Sequence, residues 1–247
     1  GTGMVLLPGL INCHTHLATS ALRSFTDDLG NTEALQTLLQ KEAKMDSRSA
    51  KAAALLSIAE CLRFGITSVS DLYYYPNATA EAVAEAGIKA NLALSSYRFI
   101  DENEDFDFET DEQCQELVKV VDKWHGYDNG RIKIDAGIYA EYTSNYKLWE
   151  AMAGFASEKE IGMLKPGMRA DMVLVSIEGA NMFPTYNPYS ALVYCANTSN
   201  VDVVMASGEI RVRGGRLTRT DLPGLRARLA MEMKPFMESA AEYADII

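Results

Sequence analysis

Between Met4 and Lys159 the chain alternates short apolar runs with helical periodicity, and this alternation constrains its fold more than any other feature. Met4–Ile11 is predicted as a strand. Ser47–Phe64 is predicted as a helix, with Ala54, Leu55, Ile58, Ala59 and Leu62 on one stripe and Gly65 as its stop. A strand over Ile66–Tyr74, a helix over Thr79–Ala86 and a strand over Ile88–Tyr97 follow. Asp111–Trp124 is predicted helical, Tyr127–Gly130 a turn, Arg131–Ala140 a strand and Asn145–Lys159 a helix. Strands that alternate with helices build a parallel sheet through right-handed crossovers. No Gly-rich phosphate loop accompanies these units, which favours a barrel of the TIM type over a dinucleotide-binding fold. From Ile161 the rhythm changes to short strands and turns: Ala170–Val175, Val201–Ala206, Glu209–Arg213 and Arg216–Leu217, with Gly208 and Gly214-Gly215 as breakers. A closing helix is predicted over Leu225–Ala244, broken near Pro235. The reading is an α/β chain of about four βα units with a small β-sandwich segment, divided as 1–159, 160–217 and 218–247.

The first strand ends in chemistry. Val5–Leu17, VLLPGLINCHTHL, runs from apolar residues into a His-x-His pair, His14 and His16. Residues two apart on a strand share a face, so both imidazoles can turn toward one divalent metal. Imidazole suits zinc, iron and nickel alike, so the pair does not name the metal. The spacing alone is a weak signal. It gains weight because the chain has only 3 histidines and two of them stand together where an apolar strand opens into a polar loop. The third, His125, lies in a helix-to-strand turn at the opposite end of the strands and reads as an exposed or capping residue.

A formal net charge of −11 leaves no basic surface to neutralise phosphates, which argues against nucleic acid and anionic membranes as partners. Cys13, Cys61, Cys114 and Cys195 are scattered without C-x-x-C spacing, as expected of reduced thiols in a cytoplasmic protein. No apolar run approaches the length of a membrane span, and no signal peptide is visible.

The same residues carry a resemblance. Val5–Leu17, followed by FTDDL (Phe25–Leu29) and EAKM (Glu42–Met45), is similar to the start of the metal-dependent amidohydrolase superfamily. The subgroup it resembles is that of cytosine/adenosine-type deaminases and chlorohydrolases, including S-adenosylhomocysteine and methylthioadenosine deaminases. EIGMLKPGMRADMVLV (Glu160–Val175) and Asn187–Leu217 resemble the segment by which such proteins return from the barrel to a small β-sandwich. The resemblance implies a TIM-type barrel with one catalytic divalent metal, zinc first and iron second, whose bound water attacks an electron-poor ring carbon. It implies His14 and His16 as the first two metal ligands and a small-molecule substrate, and a homo-oligomer is expected. The family also places ligand histidines on the fifth and sixth strands, an aspartate on the eighth and a glutamate near the fifth.

Here the sequence departs from the family. After the fourth helix, Glu158–Ile161 leads straight into the return segment, so strands five to eight and their ligands have no counterpart. The sequence favours loss of a segment of a longer parent, between about Ser157 and Gly162, over a chain truly this short. In the second case two chains complete each other, or the protein is a noncatalytic remnant. Asp71, near the carboxyl end of the second strand, is a candidate for the site as a hydrogen-bonding carboxylate. Arg98 either binds a polar or anionic substrate group or pairs with the acidic run Asp101–Glu112. Tyr139 stands in GIYAEYTS (Gly137–Ser144) where relatives commonly carry a substrate-contacting histidine, and tyrosine is the poorer base near neutral pH. Asp27 and Asp28 read as loop or capping residues. The expected function is hydrolysis of C–N bonds, deaminating a purine- or pyrimidine-like substrate. A noncatalytic half-barrel and a chlorohydrolase-like hydrolase on the same scaffold are the alternatives.

Overall fold

A computed structural model describes residues 3–94, 104–137, 144–155, 172–188, 191–192 and 195–240. The apolar run at the amino end does not form one strand. It divides at Gly9 into β1 (Met4–Pro8) and β2 (Leu10–Thr15), which join different sheets. β1 pairs antiparallel with β6 (Met172–Ser176), whereas β2 pairs parallel with β3 (Ile66–Leu72). Pro8 has no N–H for a ladder and ends β1, an edge strand. Gly9 then passes tightly over buried Thr67, whose side chain fills the space where a Cβ would stand.

After a 3-10 turn over Leu17–Leu22 comes α1 (Asn31–Glu42), a helix the sequence reading lacked. α2 (Ser47–Arg63) starts in a capping box: Asp46 accepts from the Ser49 N–H at 2.8 Å, and the Asp46 N–H donates to Ser49 Oγ at 3.0 Å. β3 leads to α3 (Pro76–Ala86), which begins three residues earlier than predicted because Pro76 suits a first turn that needs no N–H. α3 ends at Gly87, left-handed at φ +77°, where a Cβ would run into the Arg211 guanidinium. β4 (Lys89–Leu94), α4 (Glu112–Trp124), β5 (Ile132–Ala136) and α5 (Tyr146–Phe155) complete the alternating region. The parallel sheet runs β2-β3-β4-β5.

The second sheet is antiparallel, in the order β1-β6-β7-β8-β9, with β7 at Val201–Ala206, β8 at Glu209–Arg213 and β9 at Arg216–Leu217. Both of its tight hairpins turn on two residues of positive φ, Ser207-Gly208 and Gly214-Gly215, the backbone that matches strand twist. α6 (Leu222–Ala240) passes through Pro235 without the predicted break. The turn that loses a hydrogen bond there includes Met231, which is 67% exposed, so water can serve the freed carbonyl.

The two sheets share one core. α2 supplies buried Leu55, Ile58 and Leu62, the parallel sheet Val69, Leu92 and Ile132, and the antiparallel sheet Val173, Val204 and Val212. No helix among the described residues is long and apolar enough to cross a membrane. Replacing Gly9 by Ala forces Thr67 or the β1–β2 junction to shift and is expected to cost about 1–3 kcal/mol. A urea unfolding midpoint that does not fall would show that the junction tolerates a side chain.

Candidate active site

His14 lies on β2 and His16 follows directly after its carboxyl end, but not in the plain alternation that the spacing implies. Asn12 pairs with Val69 and Thr15 with Asp71, so three steps on β2 answer two on β3. This bulge covers Cys13 and His14 and re-aims their side chains. The Asn12 side chain supports it by accepting the His14 N–H at 3.2 Å. The rings of His14 and His16 still meet, edge to face, with centroids 5.1 Å apart.

His16 is held from β3. Its Nδ1 lies 2.6 Å from the Leu72 carbonyl oxygen, which can only accept, so Nδ1 carries a proton and, in the neutral ring, Nε2 holds the free lone pair. A carbonyl on the far ring nitrogen is the usual way of orienting a metal-binding imidazole. The following turn is tied down on two sides. The Leu17 N–H donates to Asp71 Oδ1 at 2.6 Å, and Ser57 Oγ donates to the Leu17 carbonyl at 2.7 Å. Thr19 Oγ1 donates to the His16 carbonyl at 2.7 Å. His14, by contrast, is exposed.

Asp71 is buried at the end of β3 with its carboxylate turned to the Leu17 N–H. Burial pushes its pKa up to about 7, against which that single N–H is a partial offset. A second buried carboxylate, Glu42, closes α1. Burial raises its pKa, while hydroxyls of Tyr73 and Tyr74 and the nearby His16 favour its charged form. Tyr73 and Tyr74 stack at 4.8 Å, and Tyr75 Oη donates to the Met45 carbonyl at 2.6 Å. Burial and the charge of Glu42 push the Tyr73 hydroxyl far up. Sequence reasoning named Glu42 only within EAKM and did not place it in the site because it missed α1, whose signal was the helical spacing of Leu35, Leu38 and Leu39.

The other predicted positions do not join this group. Arg98 and Tyr139 lie outside the described residues. His125 is exposed beyond α4, where its Nδ1 accepts the Ile134 N–H at 3.2 Å. Asp27 and Asp28 are exposed. A groove of about 490 Å³ reaches His16 along β2, lined by Asn12, Thr15, Ser57 and Phe64 and flanked by the Arg23–Glu60 ion pair. Among the described residues no group of three or more His, Cys, Asp or Glu gathers to hold a metal. Two imidazoles make half of a tetrahedral coordination sphere, so the described residues of one chain do not fit a complete divalent-metal centre.

The sequence model of the amidohydrolase family matches residues 5–159, from β1 through α5. This chain belongs to the amidohydrolase family. It is 35% identical over 165 residues to a 5-methylthioadenosine/S-adenosylhomocysteine deaminase of Dictyoglomus thermophilum, covering 66% of this chain and 37% of that protein. A 5′-deoxyadenosine deaminase of Methanobrevibacter smithii is 35% identical over 162 residues, covering 65% of this chain and 36% of that one. The chain thus spans little more than a third of the length of these relatives. Among solved structures, a zinc-bound adenosine deaminase from Xanthomonas campestris superposes with a TM-score of 0.83 at 16% identity, over 96% of this chain and 87% of that one. The zinc complex of atrazine chlorohydrolase from Arthrobacter aurescens gives 0.79 at 15%, over 94% and 88%. At such identities these structures speak for the fold: this amidohydrolase chain has the βα architecture of the family's barrel, with four parallel strands among its described residues.

The pKa of Asp71 has a consequence for stability. Its folded value of about 7 lies above the ordinary 3.8, so the fold favours the protonated form. Stability is therefore fully present below about 3.8, falls as pH rises toward 7 by up to about 1.4 kcal/mol per pH unit, and levels above it. Asp71→Asn should remove this slope. Urea unfolding of both proteins across the window checks it, and parallel curves would refute burial of the charge.

Proposed function

We propose that this chain carries the substrate- and metal-facing half of a hydrolase acting on C–N bonds, one that deaminates a purine- or pyrimidine-like compound. The carrying observation is the His14–His16 pair at the end of a parallel strand, with His16 fixed through Leu72 so that Nε2 is free. The names of the curated relatives support an adenine nucleoside modified at the 5′ position as the substrate class. In this reading His14 and His16 bind the metal, zinc before iron. Asp71 holds the turn that carries them, and Arg98 and Tyr139 contact substrate. Buried Glu42, ringed by tyrosine hydroxyls beside His16, offers a polar group to the same space. The enzyme would be a cytoplasmic homo-oligomer with no nucleic-acid or membrane partner.

The donor set among the described residues, two imidazoles, favours a second reading, a noncatalytic half-barrel. Ammonia release from 5′-methylthioadenosine, S-adenosylhomocysteine and 5′-deoxyadenosine by zinc-loaded protein separates the two. The hydrolase reading expects release that a chelator abolishes and that His16→Ala lowers at least about 100-fold, a loss beyond the 10–100-fold typical of an outer-shell partner. No release from any of the three, with zinc bound, leaves the noncatalytic reading.

A further inference from the structure

We propose that Met233, on the closing helix α6, is a positioning residue for His16. The proposal rests on the reading that His16 works in the site, and it concerns what holds that imidazole in place.

α6 packs along α2. The ion pairs at its flanks are long: Arg228 to Glu85 of α3 and Arg48 of α2 to Glu232 are each 3.8 Å, with at least one partner open to water. Such pairs contribute little to stability. What seats the helix is an apolar stripe at four-residue spacing, Leu225, Leu229 and Met233. Leu225 enters the core shared by the two sheets, whereas Leu229 and Met233 enter a second, smaller cluster. Leu229 is only partly buried there, and Met233 is 5% exposed.

The membership of that cluster gives Met233 its reach. Its other buried members are Ala18, Leu22, Met45, Ala50, Tyr73 and Ala78. Ala18 and Leu22 belong to the 3-10 turn that begins directly after His16. Tyr73 directly follows Leu72, whose carbonyl accepts the His16 Nδ1–H at 2.6 Å. Donor and acceptor of that bond therefore each lie within two residues of the cluster, and its packing sets how the two sides stand against each other. Ala18, Ala50 and Ala78 come from three different elements, and their small side chains leave a socket for one long one. An unbranched thioether fills an irregular gap of this kind and packs well beside an aromatic ring.

Cutting Met233 back leaves a cavity that the surrounding turn can relax into. His16 then loses its fixed acceptor, and with it the single tautomer that the Leu72 carbonyl selects. A displacement of about 1 Å in a working group lowers a rate by up to about 100-fold. α6 thus reaches the site without touching either imidazole's ring nitrogens.

The test is proton–nitrogen correlation spectroscopy of the histidine rings in the purified chain, with His16 assigned through His16→Ala. The unaltered chain should show one His16 tautomer, protonated at Nδ1. Met233→Ala should replace it by an average of two tautomers while far-ultraviolet circular dichroism is kept, and Met233→Leu should restore the single form. Where Met233→Ala does not keep its circular dichroism, the smaller cut Met233→Val is read in its place. Leu225→Ala is the control: it loosens α6 from the other core and should leave the His16 signals as they are. An unchanged His16 pattern on cutting Met233, or an equal disturbance from Leu225→Ala, overturns the proposal. In the ammonia-release assay Met233→Ala should lower kcat about 10-fold or more with KM unchanged, and a rise in KM alone would also overturn it. If the unaltered chain releases no ammonia, the hydrolase reading falls while the ring spectra still decide the role of Met233.

Discussion

Packing of α2 is the constraint on which the rest of this molecule depends. Its Ala50, Ala52, Ala53 and Ala54 are fully buried, and such small side chains let neighbouring backbone come close. One consequence is that polar groups of α2 reach the turn after His16: Ser57 donates to the Leu17 carbonyl, and the Ala53 carbonyl accepts from Ser20 Oγ at 2.9 Å. Another is that Leu55, Ile58 and Leu62 bridge the parallel and antiparallel sheets into one core. Large side chains at those alanines would push the 3-10 turn away and loosen the grip on His16, without touching either imidazole.

The parallel sheet was legible because its signals are local. Apolar runs, glycine stops and the α2 stripe all report side-chain burial one element at a time, and the strands and helices from Ile66 to Trp124 lie close to where those signals put them. What escaped the sequence depends on contacts between elements. The split of the first apolar run at Gly9 is set by Thr67 beneath it and by β6, more than 160 residues away, neither of which a local pattern reveals. α1 escaped because its helical spacing is short and its burial falls on Glu42, a residue whose polarity reads as surface. Continuity of α6 through Pro235 reflects solvent at Met231, again a tertiary circumstance.

The candidate site was legible in its identity and not in its geometry. The His-x-His spacing implies two imidazoles side by side, and their rings do meet, yet it is the bulge that aims His14 and the Leu72 carbonyl that selects the tautomer of His16. Asp71 shows the same division. Its position at a strand end was visible, while its work, gripping the Leu17 N–H from a buried site, arises from pairing of β3 with β2. A charged group that the fold pushes toward its neutral form is a destabilising choice when judged by folding alone. Its place makes physical sense where the backbone turn beside the histidine pair must not move.

That logic extends to the edges of the sheet. Hydrogen-bonding groups along β2 and β5 and the half-exposed Leu10 and Ile11 raise the free energy of an isolated chain, and nothing within its described residues relieves them. The same segment that carries this apolar surface leads into two imidazoles, with no third candidate ligand beside them among the described residues. An apolar edge wants a strand, and a half-filled coordination sphere wants two more donors.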